Sequence, residues 1–190
     1  MRIVLASKSP RRRELLSEIV KDFEIITKET DETVPDGTHP RDAVELLAIR
    51  KGGAVAKELP SGALVISSDT LVELDGVPLG KPHDKSDAVE MLLSLSGRTH
   101  HVHTGVAVHY KGRVFSGVDT AAVTFVNVGR ADAERYVSTG EPMDKAGAYA
   151  IQGGGAEFVE EYEGEYDAIV GLGLKLTEKL IREASEYEKE

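Results

Sequence analysis

The feature that most constrains the fold is a long stretch of alternating side chains in the middle of the chain. Val102, Thr104, Val106, Val108 and Tyr110 occupy alternate positions, and a second alternating run extends from Val114 to Val128. Lys111-Gly112 between them can reverse the chain in a short turn. A period of two residues is that of a β-strand with two different faces. The pattern therefore predicts two long antiparallel strands at the centre of the protein.

Before this pair of strands, short apolar runs alternate with helical patterns. The run from Arg2 to Ala6 is suited to a buried strand, and Pro10 follows where a helix tolerates proline, in the first turn. A second helix is predicted from Pro40 to near Pro60, because its apolar residues recur at helical spacing. The remaining predictions are strands at 23–27, 64–67 and 71–74, a hairpin turn at Asp75-Gly76 and a helix over 88–95 capped by Asp84.

The C-terminal part mixes short segments of both kinds. The predicted segments are helices over 131–138 and 172–184, a glycine-rich stretch over 147–155, edge or closing strands over 158–162 and 167–170, and a frayed end over 186–190. The chain contains no linker long enough to separate two domains. We therefore predict one α/β domain over 1–190, with a mixed sheet flanked by helices.

Composition limits the classes of function. The chain has no cysteine, which excludes disulfides, thiolate zinc sites and a cysteine nucleophile. Its formal net charge is −10, so nucleic acid is not expected as a partner. A local group of cations could still bind a small phosphorylated ligand. Because no apolar run approaches the roughly 18 to 20 residues of a membrane span and no secretory signal pattern is present, we expect no membrane partner and a cytoplasmic protein.

The densest functional signal is the segment from Ser7 to Leu16, which places two hydroxyls and several cations at a predicted strand-to-helix junction. A helix N-terminus has unpaired N–H donors and a partial positive charge, so it favours anions. Arginines in the same turn are unfavourable unless an anion is present, which suggests a phosphate site. The alternative is a solvated basic patch in which Ser9 is an ordinary N-cap.

Two shorter motifs also fit phosphate chemistry. Ser68-Asp69-Thr70 follows a predicted buried strand, and an aspartate there could hold a divalent metal or accept a proton from water. Alternatively, Asp69 forms an Asx-turn that ends the strand. Gly80-Lys81-Pro82 follows the predicted hairpin, where Lys81 could reach a phosphate, although the tripeptide by itself is typical of a turn.

A third segment, from Lys145 to Gly153, combines small residues with one side-chain amide. Small residues allow a flat base to approach the backbone, and the amide of Gln152 can both donate to and accept from a base edge. The alternative is a flexible glycine loop, which Gly153-Gly154-Gly155 would suit.

Several familiar devices are absent from the sequence. It contains no Gly-x-x-x-x-Gly-Lys-Ser/Thr phosphate loop, no Gly-x-Gly-x-x-Gly fingerprint and no Gly-x-Ser-x-Gly elbow. His101 and His103 share one face of a predicted strand with His109 further along. No carboxylate accompanies them at a recognisable ligand spacing, so we do not expect them to hold a metal.

The order of the motifs carries more information than any one of them. Taken together, they resemble the Maf family, in collinear order from about residue 3 to about residue 181. The matching motifs are Ser7-x-Ser9-Pro10-Arg11-Arg12-x-Glu14-Leu15-Leu16, Ser68-Asp69-Thr70, Gly80-Lys81-Pro82, Leu95-Ser96-Gly97-Arg98-Thr99-His100 and Lys145-Ala146-Gly147-Ala148-Tyr149-x-Ile151-Gln152-Gly153.

The resemblance implies a fold like that of the inosine triphosphate pyrophosphatases, with an elongated mixed sheet, two lobes and a central cleft. It implies hydrolysis of a nucleoside triphosphate to the monophosphate and pyrophosphate, with Mg²⁺ as metal or alternatively Mn²⁺ or Co²⁺, by a homodimer. The implied roles are phosphate binding by Ser7, Arg12, Lys51 and Lys81, proton acceptance by Asp69, metal binding by Glu32 and Asp69, and base specificity from Arg11, Thr70 and Gln152.

The last motif has the Ala-Tyr-x-Ile-Gln-Gly form of the family branch that acts on dTTP and UTP, so Gln152 favours these pyrimidine nucleotides, with modified ones as further candidates. Three positions depart from the family pattern: Ser68 stands where alanine is usual, Ala150 where glycine is usual and Gly173 where proline is usual. Because Maf proteins are also named as inhibitors of septum formation, the alternative function is a nucleotide-binding regulator of cell division without significant turnover.

Overall fold

The elements below belong to a computed structural model that describes residues 1–187. In that range the chain forms seven strands: β1 (Arg2–Leu5), β2 (Glu24–Ile25), β3 (Ala63–Leu74), β4 (Val77–Leu79), β5 (Thr99–Tyr110), β6 (Arg113–Phe125) and β7 (Val159–Glu163). The same range contains six α-helices: α1 (Pro10–Ile19), α2 (Pro40–Ala56), α3 (Lys85–Leu95), α4 (Arg130–Ser138), α5 (Tyr166–Val170) and α6 (Leu174–Glu186). Short 3-10 helices cover Glu141–Asp144, Ala146–Ala148 and Gly154–Phe158. Within residues 1–187, no helix combines the length and the apolar character that a membrane span requires.

The strands form one mixed sheet in the order β2-β1-β3-β5-β6-β7, with β4 paired to β3. β1 runs parallel to β2 and β3, and the other pairs are antiparallel. The two long strands predicted from the alternating pattern are β5 and β6, which pair along their whole length. Lys111 and Gly112 join them with φ angles of 48° and 77°, because a two-residue hairpin needs positive φ to match the strand twist. The predicted mixed α/β sheet is confirmed.

One edge of β3 is covered only at its two ends. β1 pairs with Ala63–Ile66 and β4 pairs with Val72–Leu74, both on the edge opposite β5. In the described chain, the middle of β3, from Ser67 to Leu71, therefore has a strand neighbour on one side only. This interruption leaves a gap that side chains from both ends of the sheet can reach.

Two hydrophobic cores lie at opposite ends of the long strands. Near β1, Leu16 of α1 and Leu180 of α6 pack together with Ile66 of β3 and buried residues of β5. Near β4, the helices α3 and α4 pack over a second core that includes Val72 and Phe125. Both β3 and β5 contribute buried residues to each core, so the long strands connect the two lobes. The gap beside β3 lies between these lobes.

The prediction of a closing strand over 167–170 is wrong, because this segment is part of helix α5. Asp167 in its first turn accepts hydrogen bonds from the backbone N–H groups of Ala168 at 2.8 Å and of Leu174 at 2.9 Å, which ties α5 to the start of α6. A short apolar run fits a buried helical turn as well as a strand, so periodicity alone could not decide. β7 is an edge strand, as predicted. Residues 188–190 of the end expected to fray lie outside the described residues.

Candidate active site

The gap beside β3 opens into a cleft between the lobes, with a cavity volume of about 1130 Å³. One wall comes from the end of β1, the first turn of α1, one face of α2 and the middle of β3. The other wall comes from the chain after β4 and from the segment 144–152. A smaller cavity of about 660 Å³ lies between α1 and α6, and none of the residues that line it was singled out from the sequence.

The cleft brings together every residue that the sequence singled out for a functional role. Its lining includes Ser7, Arg11, Arg12, Glu32, Lys51, Asp69, Thr70, Lys81 and Gln152. These residues come from distant parts of the chain, so their meeting is a property of the tertiary fold. We refer below to the charged end of the cleft (Ser7, Arg12, Glu32, Lys51, Asp69 and Lys81) and to its neutral end (Tyr149–Gln152). The individual roles stay predictions.

At the charged end, one lysine lies between two carboxylates. The Nζ atom of Lys51, on α2, donates to Oδ1 of Asp69 at 2.5 Å and lies 2.9 Å from Oε1 of Glu32. Burial disfavours the charged form of Lys51, but the two carboxylates outweigh it, so the pKa of Lys51 is raised. The hydrogen bond from Lys51 lowers the pKa of Glu32. By formal charge, two carboxylates against one ammonium leave this group of three side chains with a net charge of minus one.

Arg12 is held by the protein rather than left free in the cleft. Its Nε donates to the backbone oxygen of Gly171 at 2.8 Å, and one Nη donates to the hydroxyl of Thr70 at 3.1 Å. The other Nη lies 3.5 Å from the hydroxyl of Ser7. Burial lowers the pKa of Arg12, yet a guanidinium stays protonated in proteins. These contacts fix the guanidinium group of Arg12 between α1, β3 and the end of α5. Its positive charge lies in the lining of the cleft.

The start of α1 has the local geometry that the sequence predicts. Ser9 is the N-cap residue, and its hydroxyl accepts from the backbone N–H of Arg12 at 3.4 Å. The hydroxyl of Ser7 accepts from the backbone N–H of Ser9 at 3.2 Å. The alternatives of an ordinary cap and an anion site are therefore compatible, because Ser9 caps the helix while Ser7 and Arg12 line the cleft.

Lys81 and Arg11 line the cleft from opposite walls. Lys81 is exposed and contributes to the low pKa of Glu32 from across the gap. The adjacent Gly80 accepts a hydrogen bond from the backbone N–H of Gly147 at 3.1 Å, which joins the Gly-Lys-Pro segment to the neutral end. The charge of Arg11 helps to lower the pKa of Asp144, after the larger influence of Lys145.

The neutral end is held by a buried aromatic cluster. The hydroxyl of Tyr149 lies 2.7 Å from Nε2 of His100, and the Tyr149 ring packs against Phe125 with centroids 4.8 Å apart. Burial lowers the pKa of His100 to about 4 and raises that of Tyr149, so both are neutral near pH 7. Gln152, three residues further on, is exposed to the cleft.

Two histidines of β5, His103 and His109, have partners within the protein. His103 lies 2.6 Å from Oε2 of Glu73 through Nε2 and 2.8 Å from the hydroxyl of Thr120 through Nδ1. His109 lies 3.0 Å from the backbone oxygen of Ile49 through Nε2. Among residues 1–187, no group of three or more histidines, aspartates or glutamates is arranged to hold a metal ion.

Two departures from the family pattern have local structural reasons. The buried hydroxyl of Ser68 donates to the backbone oxygen of Gly171 at 2.9 Å, the same oxygen that Arg12 contacts, and alanine could not do this. A Cβ atom on Gly173 would lie 1.8 Å from Oδ2 of Asp119, so the aspartate requires glycine here. Ala150, the third departure, is 4% exposed and lies beside the cleft.

Sequence reasoning missed the residues that support the neutral end from behind, namely His100, Tyr136 and Glu141. Tyr136 donates to Oε2 of Glu141 at 2.5 Å, and both contact the segment around Gln152 through its backbone N–H groups. A side chain that bonds to a distant backbone N–H leaves no pattern of spacing in a sequence. The only available signal is that Glu141 and His100 lie inside or beside motifs of the resemblance.

The chain is similar to proteins of one family along nearly its whole length. A family model described as "Maf-like protein" matches residues 2–184. A protein named dTTP/UTP pyrophosphatase from Bacillus velezensis is 44% identical over 182 residues, which cover 96% of each chain. A protein of the same name from Anaeromyxobacter dehalogenans is 48% identical, over 96% of this chain and 94% of that one. Another from Pelotomaculum thermopropionicum is 48% identical, over 90% of this chain and 91% of that one.

Among solved structures, the Staphylococcus aureus Ham1 protein has a similar fold. It superposes with a TM-score of 0.50 at 22% identity, over 66% of this chain and 72% of that one. The fold of this part of the chain thus also occurs in another protein. From the full-length family match and the 44–48% identical relatives, the chain belongs to the Maf family.

Proposed function

We propose that the protein hydrolyses dTTP and UTP to the nucleoside monophosphate and pyrophosphate with the help of a divalent metal. The observation that carries this proposal is the contact of Lys51 with both Asp69 and Glu32, in a cleft that Arg12 and Lys81 also line. Relatives named dTTP/UTP pyrophosphatase, aligned over at least 90% of the chain, support the choice of substrates.

The charged end suits a triphosphate. Phosphoryl transfer asks the protein chiefly to position the substrate and to offset its negative charge. Arg12, Lys81 and Ser7 all line the cleft, so a phosphate there could meet two cations and a hydroxyl. The fixed fork of Arg12 needs little reorganisation when the phosphate arrives, which makes its contribution electrostatically efficient.

The carboxylates at the charged end fit a divalent metal that arrives with its substrate. Mg²⁺ is usually bound through one or two carboxylates together with substrate phosphates, rather than by an all-protein cage. Glu32 and Asp69 both contact Lys51 and so lie close together, with a net charge of minus one for the three groups. The donors are all oxygen, which suits Mg²⁺, and Mn²⁺ as an alternative. When bound, the metal supplies charge neutralisation on the phosphates and polarises the scissile anhydride.

We assign to Asp69 the role of accepting the proton of the attacking water. A bond forms between the water oxygen and the α-phosphorus, the bond from the α-phosphorus to the bridging oxygen breaks, and pyrophosphate leaves with that oxygen. The proton of the water goes to the Asp69 carboxylate, which then releases it to solvent. Lys51, 2.5 Å from this carboxylate, orients it and carries positive charge beside the phosphates.

The neutral end suits a base. Gln152 presents an amide that can donate to the O4 oxygen of uracil or thymine and accept from its N3–H. Tyr149 and Ala150 are buried beside it and form an apolar surface without charge. Arg11 and Thr70 also line the cleft, and we assign them contacts to the base or the sugar.

The test is a pyrophosphate-release assay on purified protein with dTTP, UTP, CTP, dATP and GTP, with Mg²⁺, with Mn²⁺ or Co²⁺, and with EDTA. We expect the highest kcat/KM for dTTP and UTP, and no release in EDTA until metal is restored. Binding of dTTP without turnover in every metal would contradict the proposal and support a nucleotide-binding regulator instead.

A further inference from the structure

Gln152 lies at the tip of a tight turn of the backbone in the cleft wall. The backbone N–H of Gly153 donates to the oxygen of Ala150 at 3.1 Å, so Ile151 and Gln152 form the two central residues of a four-residue turn. Ile151 points inward, with 7% of its surface exposed, while Gln152 is exposed to the cleft. The direction of the Gln152 amide therefore depends on how firmly the two ends of this turn are held.

A single carboxylate holds both ends. Oε2 of Glu141 accepts from the backbone N–H of Gly154 at 2.9 Å, just after the turn. The same oxygen accepts from the hydroxyl of Tyr136 at 2.5 Å. That hydroxyl in turn accepts from the backbone N–H of Ala150 at 3.1 Å, at the start of the turn. Glu141 thus fixes one end directly and the other through Tyr136.

The glycines after Gln152 make this contact possible. A Cβ atom on Gly153 would lie 2.2 Å from Oε1 of Glu141, and one on Gly154 would lie 2.9 Å from the Tyr136 ring. A Cβ atom on Gly155 would lie 2.8 Å from the backbone oxygen of Ala150. The glycine run that resembles a flexible loop in the sequence is therefore a close-packed segment around a carboxylate and a phenol.

The hydroxyl of Tyr136 remains the donor in its hydrogen bond to Glu141 over the physiological pH range. Tyr136 is 3% exposed, and burial together with its hydrogen bond to Glu141 raises the pKa of its hydroxyl. The phenol therefore stays protonated and continues to donate to the carboxylate. Because the bond involves a charged acceptor, it is stronger than a bond between two neutral groups.

We propose that Glu141 is a positioning residue for base selectivity, which acts through Tyr136 and the backbone of the Gln152 turn. The inference rests on the proposed pyrophosphatase function, since it names what orients the base-reading amide. Its side-chain contacts lead to the neutral end, whereas the phosphates and Asp69 belong to the charged end. We call the contacts of Glu141 and Tyr136 with the two ends of the turn the clamp. Loss of the clamp should therefore weaken the distinction between bases more than it slows the chemical step.

The kinetic test compares UTP and CTP as substrates of Glu141→Ala and Tyr136→Phe. We expect the ratio of their kcat/KM values to fall about fourfold in Glu141→Ala, mainly through a higher KM for UTP, and about twofold in Tyr136→Phe. Because both variants break the same chain, the double variant should lose little more than Glu141→Ala alone. Glu141→Gln keeps an acceptor oxygen and should recover part of the selectivity. An equal loss for both nucleotides with an unchanged ratio would overturn the proposal.

Amide hydrogen exchange tests the clamp without any catalysis. We expect exchange at Ala150 and Gly154 to accelerate at least about tenfold in Glu141→Ala, and at Ala150 alone in Tyr136→Phe, whose ring stays in place. The matched control is Glu161→Ala, which removes an exposed glutamate from β7 and should leave both amides as in the wild type. Unchanged exchange at both amides in Glu141→Ala overturns the clamp even if the enzyme is active. If the wild type cleaves no nucleotide and exchange is still faster in Glu141→Ala, only the proposed function is refuted.

Discussion

At the charged end of the cleft, opposite charges from distant parts of the chain touch each other, whereas none of the residues of the neutral end, Tyr149–Gln152, is charged. Lys51 lies within hydrogen-bonding distance of Asp69 and close to Glu32, and these groups reach into the gap beside β3. Tyr149 and Ala150 are instead almost fully buried and are supported from behind by His100 and Tyr136.

The difference teaches how the two ends should respond to change. A variant at the charged end alters charges that every triphosphate meets, so it should affect all nucleotides alike. A variant at the neutral end alters packing or the direction of one amide, so it should affect either the free energy of unfolding or the choice of base. The four predictions that follow either break this division or sharpen it.

The largest effect is expected at Asp69. We predict that Asp69→Asn lowers kcat at least about a hundredfold for dTTP and UTP alike, because the amide cannot accept a proton from water. Steady-state pyrophosphate release measures this. Asp36→Asn, which changes an exposed aspartate in the loop before α2, is the control and should leave kcat unchanged. Near wild-type turnover in Asp69→Asn would remove this residue from the role of proton acceptor.

The next effect is expected at Arg12. We predict that Arg12→Ala lowers kcat/KM by about ten- to a hundredfold for every nucleotide, since a hydrogen bond to a charged group contributes about 1.5–3 kcal/mol. The neighbouring Arg13→Ala removes an equal charge from the same helical turn, but Arg13 does not line the cleft. It should change kcat/KM by less than about threefold. Equal losses in both variants would mean that only the general positive charge of α1 matters.

The third prediction concerns the buried support of the neutral end and its dependence on pH. His100 has a pKa of about 4 in the folded protein, against an ordinary value of 6.5. Between these values the unfolded chain binds more protons, so the free energy of unfolding falls as pH falls through that window. From pH 7 to pH 5, protonation of His100 in the unfolded chain should lower the free energy of unfolding of the wild type by about 2 kcal/mol.

The measurement is urea denaturation of the wild type and of His100→Phe at both pH values. The variant lacks the titrating ring. The fall in its free energy of unfolding from pH 7 to pH 5 should therefore be about 2 kcal/mol smaller than the fall in the wild type. This comparison holds whatever stability the variant has at pH 7, because only the change with pH is used. Identical pH dependence in the two proteins would show that His100 is not neutralised by burial.

The smallest effect is expected at Gln152. We predict that Gln152→Ala lowers the preference for UTP over CTP by about fivefold, because one or two hydrogen bonds of about 1 kcal/mol are lost. Gln152→Glu should favour CTP further, since a carboxylate accepts from the amino group of cytosine but cannot donate to the O4 of uracil. The kcat/KM ratios measure both. An unchanged ratio in the two variants would place base selection elsewhere in the cleft.

Much of the fold could be predicted because local patterns decided it. Alternation over 102–110 and 114–128 corresponds to β5 and β6, and Ser9 before Pro10 corresponds to the start of α1. The short apolar segment 167–170 could not be assigned, because its neighbours in space and the Asp167 contacts make it a helix. Local patterning thus works where an element is long and fails where a few residues depend on tertiary contacts.

The candidate site divides in a similar way. The sequence by itself determined the residue types and the family motifs, and with them nine of the residues that line the cleft. Only the tertiary structure decided that Lys51 touches Asp69, and that Glu141 holds the Gln152 turn. The physical reason is that the cleft exists because β1 and β4 cover only the two ends of one edge of β3, and this register results from packing between segments far apart in the chain.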